Sequence, residues 1–147
     1  MKTLINLQVI VFFLLLSGCA NIDVTHYRHE KPELDLPRFF SAPVQAWGMF
    51  QTRTGEVIKR FIVTIDGRME GHQLVLDERF VYSDGTRQRR VWTLTPDGPG
   101  RWRGTADDVV GQAHGQIAGN TLRWRYTLNL EVEGTIYPCS SMTGCTW

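Results

Sequence analysis

The chain has 147 residues, with 16 lysines and arginines against 15 aspartates and glutamates, and 42% of its residues are hydrophobic. A formal net charge of +1 at pH 7 gives no electrostatic basis for binding nucleic acid. This length suits one globular domain, which can bury an adequate core without disulfides or metals.

The first eighteen residues have the three-part build of a signal peptide. Lys2 supplies a basic start, residues 9–16 form an apolar run, and Ser17 and Gly18 are small. The run is shorter than the twenty or so residues that cross a bilayer, and no later stretch of the sequence approaches that length. We predict a signal peptide over 1–18 and no membrane-spanning helix in the mature chain.

The sequence around Cys19, Leu16-Ser17-Gly18-Cys19, resembles the bacterial lipobox. It predicts cleavage between Gly18 and Cys19 and lipid attachment at Cys19; an ordinary secretory signal with a chance cysteine is the alternative. Two or three acyl chains make a lasting anchor, since each buried methylene contributes about 0.8 kcal/mol. Because Ala20 rather than Asp follows the cysteine, we expect the periplasmic face of the outer membrane.

Residues 19–45 contain three prolines among mixed charges and follow no clear period, which is typical of a tether. Some of its apolar side chains are expected to pack on the outside of the domain, or to close one end of it with a short helical turn: Leu34, Leu36, Phe39 and Phe40.

From residue 46 the sequence changes to short segments rich in β-branched and aromatic residues, separated by glycine turns. Seven strands are predicted, over 46–53, 57–66, 73–82, 88–95, 100–106, 111–117 and 121–132. The last strand alternates strictly between apolar and polar residues, so that one face is buried.

Seven consecutive strands indicate an antiparallel meander. An all-β sheet with one apolar face and no covering helix must close on itself or pack on a second sheet. We predict a small lipocalin-like barrel over 46–137, with a flattened β-sandwich as the alternative.

Five separated motifs resemble the uncharacterised bacterial lipoproteins grouped as domain of unknown function 3833. They are Ala46-Trp47-Gly48-Met49-Phe50, Tyr82-Ser83-Asp84-Gly85, Arg89-Arg90-Val91-Trp92, the stretch 103–111 and the stretch 120–126. The resemblance covers about residues 24–137 and implies no established activity.

The tail over 138–147 departs from that family's pattern, in which two or more further strands continue from this point, beginning with an aromatic and acidic segment. One codon choice for the tail reads in a shifted frame as Val-Gln-Phe-Asp-Asp-Trp-Met-Tyr-Leu, which is similar to that segment. We hypothesise a frameshift or sequencing error near Tyr137, which would leave the last strands missing and make Cys139 and Cys145 accidental. If the tail is genuine, the two cysteines could form a disulfide in an oxidising compartment.

Asp107 and Asp108 are the candidates for catalysis, because paired carboxylates can share a proton or hold a metal. Neighbours on a strand point to opposite faces, so the two can act together only in a turn. Turn capping and pairing with arginines is the favoured alternative.

Arg90 shares a strand face with Trp92 and Leu94. An inward arginine can bind a ligand carboxylate or phosphate bidentately, although cross-strand pairing with acids such as Asp77 and Glu78 is favoured. We favour the interpretation that the aromatic residues of the strands belong to the hydrophobic core. In the alternative, Trp92, Trp124 and Tyr126 line a cavity for an apolar ligand, with Arg90 at its polar end.

No metal or cofactor is expected. His26 and His29 lie in the tether without a third ligand, and His72 and His114 stand apart. The sequence contains no glycine-rich phosphate loop and no nucleophile elbow.

Together these features favour an envelope lipoprotein that binds an apolar or fatty-acyl ligand in a β-barrel cavity. A noncatalytic protein acting through a protein partner comes second, and an enzyme on lipid-like substrates comes third.

Overall fold

The computed structural model describes residues 23–51, 54–132 and 135–146, with side chains described as far as Leu128. The signal peptide over 1–18, its cleavage site at Gly18 and the lipid site at Cys19 lie outside the described residues. No helix in the described ranges is long and apolar enough to cross a membrane.

One sheet dominates the fold. Eight strands follow each other in chain order, and each is antiparallel to the next: β1 (Val44–Gln51), β2 (Val57–Glu70), β3 (Gln73–Tyr82), β4 (Arg87–Pro96), β5 (Arg101–Thr105), β6 (Ala113–Ala118), β7 (Thr121–Val132) and β8 (Thr135–Thr146). The sheet curls into a half-barrel with almost no helix. The predicted all-β antiparallel meander is confirmed, and because the strands form one sheet, the sandwich alternative does not apply.

Strand β2 continues past the predicted end at residue 66, where Gly67 had indicated a turn. Gly67 instead lies within the strand, paired with Leu76. A side chain there would collide with Phe40, since a Cβ at Gly67 would lie 2.5 Å from the Phe40 Cβ. The glycine therefore marks a close approach of another segment.

That segment is a single helical turn, α1 (Leu36–Phe39), which begins where the Asp35 side chain accepts a hydrogen bond from the Arg38 amide at 3.1 Å. Leu36 and Phe40 are buried against the inner face of the half-barrel. Together they form the core cluster of Leu36, Phe40, Leu74, Leu76, Trp92, Leu94 and Ala113. The expected helical turn therefore covers part of the inner face.

A 3₁₀ helix, Val24–Tyr27, packs on β6 and β7. Val24 is only 1% exposed, and the Tyr27 carbonyl lies against Gly119, whose φ of +57° and missing side chain permit the contact. The packed part of the chain therefore begins at Val24, inside the segment whose composition suggested a tether.

Strand β8 pairs with β7 over its whole length and includes residues of the tail. Cys139 lies opposite Leu128 and Cys145 opposite Leu122. Six residues of extended strand separate the two Cα atoms by roughly 20 Å, whereas a disulfide requires less than about 7 Å. Within β8 these cysteines cannot bond to each other.

Candidate functional site

Charged residues occupy inward positions at the middle of the half-barrel. Glu78 on β3 lies directly opposite Arg90 on β4, and the next inward pair along the strands is Leu76 with Trp92. Side chains directly opposite each other in an antiparallel pair lie on the same face. The register thus places a carboxylate and a guanidinium group together against the apolar core.

Asp108, in the turn after β5, forms an ion pair with Arg90. The Arg90 Nε donates to Asp108 Oδ1 at 2.9 Å, and Nη2 donates to Oδ2 at 2.6 Å. The Arg90 side chain is only 9% exposed, and that of Asp108 is 26% exposed. Asp107 is exposed on the same turn and does not join this pair, so the structure brings one of the two predicted aspartates to the site.

Glu78 lies beside the pair in a largely buried position. Its Oε2 accepts a hydrogen bond from the Trp92 Nε1 at 3.2 Å and lies 3.6 Å from the Arg90 Nη1. Burial raises the pKa of Glu78 to about 7, with a smaller contribution from the Asp108 charge, against the opposing effects of Arg90 and Trp92. Glu78 can therefore hold or release one proton near neutral pH.

Arg90 stays positively charged in this environment. Burial alone would lower its pKa, but the hydrogen bond and charge of Asp108, together with Glu78, outweigh burial and raise it. The three side chains carry no net charge when Glu78 is protonated and a single negative charge when it is ionised. The site therefore contains no unpaired cation.

Two further side chains extend the site towards the rim. Gln88 donates to Asp108 Oδ2 at 3.3 Å, and its amide oxygen accepts from the Tyr82 hydroxyl. Burial is the main cause of the raised pKa of Tyr82. We call these five residues the polar cluster: Glu78, Tyr82, Gln88, Arg90 and Asp108.

Trp92, Trp124 and Tyr126 pack on each other beside the polar cluster. Trp92 is 4% exposed and makes edge-to-face contacts with Trp124 and Tyr126, with ring centroids 5.5 and 5.3 Å apart. The Trp124 ring lies over Gly104 and Gly115, where a Cβ would approach it to 2.6 and 2.5 Å. The two tryptophans therefore fill space between strands, as the core interpretation predicts.

A second row of aromatic rings lies on the other side of the cluster, towards β1. The Phe61 centroid lies 5.4 Å from those of Phe50 and Phe80, and the Phe80 ring stacks on Tyr82 at 5.9 Å. The Arg90 guanidinium lies 5.3 Å from the Phe80 centroid. We call Phe50, Phe61, Phe80 and Tyr82 the aromatic strip, and all but Phe80 are partly exposed.

The sequence favoured cross-strand pairing of Arg90 with acids such as Glu78, and the structure places these two residues opposite each other. The sequence did not single out Gln88 or Tyr82. The contribution of Asp108 could not be found in this way, because it depends on how the turn after β5 folds back.

The described residues also form two cavities, the first of which shares Phe61 and Tyr82 with the aromatic strip. An apolar groove of about 440 Å³ crosses β1, β2 and β3 and is lined by Trp47, Gly48, Met49, Arg60, Phe61, Ile62, Val81, Tyr82 and Ser83. A cavity of about 630 Å³ lies between the α1 segment and the ends of several strands. We call the first the outer groove, because Trp47, Met49 and Ile62 project from the outer face of the sheet.

The part of the chain that the structure describes contains no group of three or more histidine, cysteine, aspartate or glutamate residues that could hold a metal ion.

Comparison with known proteins identifies the family of this chain. No curated protein and no solved structure matches the chain. The model of a family described as "Protein of unknown function (DUF3833)" matches residues 13–141, which is most of the chain. This chain belongs to that family.

Proposed function

We propose that the chain is a lipid-anchored protein of the bacterial envelope whose half-barrel binds an apolar or fatty-acyl ligand on its inner face. The observation that carries this proposal is the polar cluster set among aromatic rings at the middle of that face. Apolar walls with a few converging polar groups are typical of sites for amphipathic small molecules.

The partly exposed aromatic strip is the surface we assign to the apolar chain. Phe50, Phe61 and Tyr82 remain partly exposed on the inner side, whereas Trp92 is already buried by its neighbours. An acyl chain lying on these rings would remove apolar surface from water at about 25 cal/mol per Å². Tyr126, also partly exposed, borders the same region from β7.

The polar cluster favours a neutral headgroup. Asp108 already engages Arg90 through two nitrogen atoms, so an anionic headgroup would have to compete with that carboxylate. A protonated Glu78, the Gln88 amide and the Tyr82 hydroxyl together provide hydrogen-bond donors and acceptors. An acyl ester, amide or alcohol fits this set better than a free fatty acid.

The anchor is part of the proposal and is supported by the sequence around Cys19. A lipid on Cys19 would hold the protein on the periplasmic face of the outer membrane, where acyl ligands are at hand.

Native mass spectrometry of the full-length protein purified from its own envelope tests both parts. We expect an intact mass that lacks residues 1–18 and carries a diacylglyceryl modification, and a bound lipid that solvent extraction releases. Phe61→Ala should reduce lipid occupancy about tenfold, the effect of losing about 1.4 kcal/mol of contact. Trp47→Ala, which alters an aromatic side chain on the outer face, is the matched control. A protein recovered without ligand would contradict the binding proposal.

A second candidate function, action through a protein partner, is supported by the outer groove. Trp47 is 68% exposed, with Met49, Ile62 and Val81 beside it, and large apolar patches of this kind are common at protein interfaces. A photo-crosslinker placed at Ile62 in living cells should capture one defined protein. The crosslink should disappear in Trp47→Asp and persist in Phe50→Ala, which alters an aromatic side chain of the inner face that does not line the groove; equal capture in both variants would argue against a specific interface.

A further inference from the structure

Arginines form a regular array on the outer face of β5, β6 and β7. Two rows cross the three strands: Arg101, Gln116 and Arg123 form one row, and Arg103, His114 and Arg125 form the other. Standard strand spacings place the arginines about 10 Å apart across the strands and about 7 Å apart along them. We call these six residues the basic face.

Four of the six residues of the basic face are arginines, and none of the six is acidic. Arg103 Nε lies 3.2 Å from Asp97 Oδ1. The pKa of Asp23 is lowered first by hydrogen bonds from Thr25 and then by the charges of Arg123 and Arg125. Asp97 and Asp23 are thus two carboxylates that lie near these arginines. The neighbouring strand β8 contains no aspartate or glutamate that could add to them.

The start of the packed chain lies beside this face. Asp23 is near Arg123 and Arg125, and the 3₁₀ helix that follows it packs on β6 and β7. Four Cα steps join Cys19 to Asp23, a distance of at most about 14 Å. If Cys19 carries the anchor, this corner of the domain cannot lie far from the bilayer.

We propose that the basic face docks on the anionic lipid headgroups of the membrane that holds the anchor. This inference rests on the proposed lipid attachment at Cys19. Docking by β5–β7 orients the domain, because the outer groove on β1–β3 lies at the other end of the curled sheet and stays accessible to the periplasm.

The composition of the basic face favours a lipid surface over a protein partner. Arginine, histidine and glutamine make up the face, with none of the aromatic or apolar anchors that supply most of the affinity in protein interfaces. Closely spaced guanidinium groups instead match a layer of phosphates, which they can bind through paired hydrogen bonds.

The test uses full-length protein incorporated into vesicles of phosphatidylcholine, either alone or mixed with phosphatidylglycerol. A nitroxide label is introduced through Gln116→p-acetylphenylalanine, and the control label through Met49→p-acetylphenylalanine at the far edge of the sheet. A nickel-chelating lipid then reports how close each label comes to the headgroups. We expect the label at Gln116 to relax more strongly in the vesicles that contain phosphatidylglycerol than in those of phosphatidylcholine alone. This difference should disappear at about 1 M salt, where the Debye length is about 3 Å.

Two double variants of equal charge identify the surface. In the double variant Arg101→Gln with Arg125→Gln, the ratio of docked to undocked protein should fall about fivefold for each arginine removed. Arg60→Gln with Arg87→Gln removes two exposed arginines near the outer groove and should leave docking unchanged.

The alternative outcomes are separable. Strong relaxation at Met49, or at Gln116 in both lipid mixtures alike, would overturn the docking proposal and leave the anchor intact. A protein that does not remain on phosphatidylcholine vesicles lacks the anchor. If that protein still bound anionic vesicles through Gln116, docking would stand without the anchor; binding to neither mixture would overturn both proposals.

Discussion

Asp108→Ala should lower the free energy of unfolding by about 3 kcal/mol, because it leaves the Arg90 guanidinium buried without its main partner. Arg90 is 9% exposed, so water cannot readily replace the lost carboxylate. We place the effect at the low end of the range for buried pairs because Asp108 itself retains some contact with solvent. Urea unfolding near neutral pH measures the change.

Asp107→Ala is the matched control, since it removes the neighbouring carboxylate from the same turn. Asp107 is exposed, and substitutions at such surface positions usually change stability by less than about 0.5 kcal/mol. Similar losses in both variants would mean that the turn, rather than the ion pair with Arg90, accounts for the effect.

The fold was predictable because its determinants are local. Alternation over residues such as Leu122, Trp124 and Tyr126, and the turn-forming sequences between strands, are sufficient to predict an antiparallel meander. Two of the misplaced strand boundaries have clear physical reasons. Gly67 lies inside β2 rather than in a turn, and its missing side chain leaves room for Phe40. Strand β6 begins at Ala113 rather than at residue 111, because Gly111 has a left-handed φ of +69°.

The N-terminal segment shows what local patterns miss. Val24 and Leu36 are among the most completely buried side chains of the described residues, yet no periodicity distinguishes them within a proline-containing stretch. Their burial results from docking on strands far along the chain, and only tertiary structure reveals such contacts.

The candidate site was predictable in part. Alternation correctly places Arg90, Trp92 and Leu94 on one face, and an acid on the neighbouring strand could be expected to pair with the arginine. The sequence could not show that Asp108 rather than Glu78 would take the bidentate position. Because Asp108 takes this position, burial affects the pKa of Glu78 more than the charge of Arg90 does.

The raised pKa of Glu78 makes the stability of the protein depend on pH. The pKa of Glu78 is about 7 in the folded protein, against 4.5 as its ordinary value. The unfolded chain therefore releases this proton at a lower pH than the folded protein does. The stabilising contribution is complete below about pH 4.5 and is lost as pH rises through about 7, a difference of about 3 kcal/mol.

Urea unfolding at about pH 5 and about pH 8 should show this loss in the wild type. Glu78→Gln, which keeps a neutral side chain of the same shape at every pH, should flatten the dependence. Glu70→Gln at the exposed end of β2 is the control and should follow the wild type. Because the Asp108 charge contributes to the raised pKa of Glu78, Asp108→Asn should move the loss of stability to lower pH. If the Glu78→Gln variant keeps the pH dependence of the wild type, other groups govern that dependence. Glu78 then does not hold a proton in the folded protein at neutral pH.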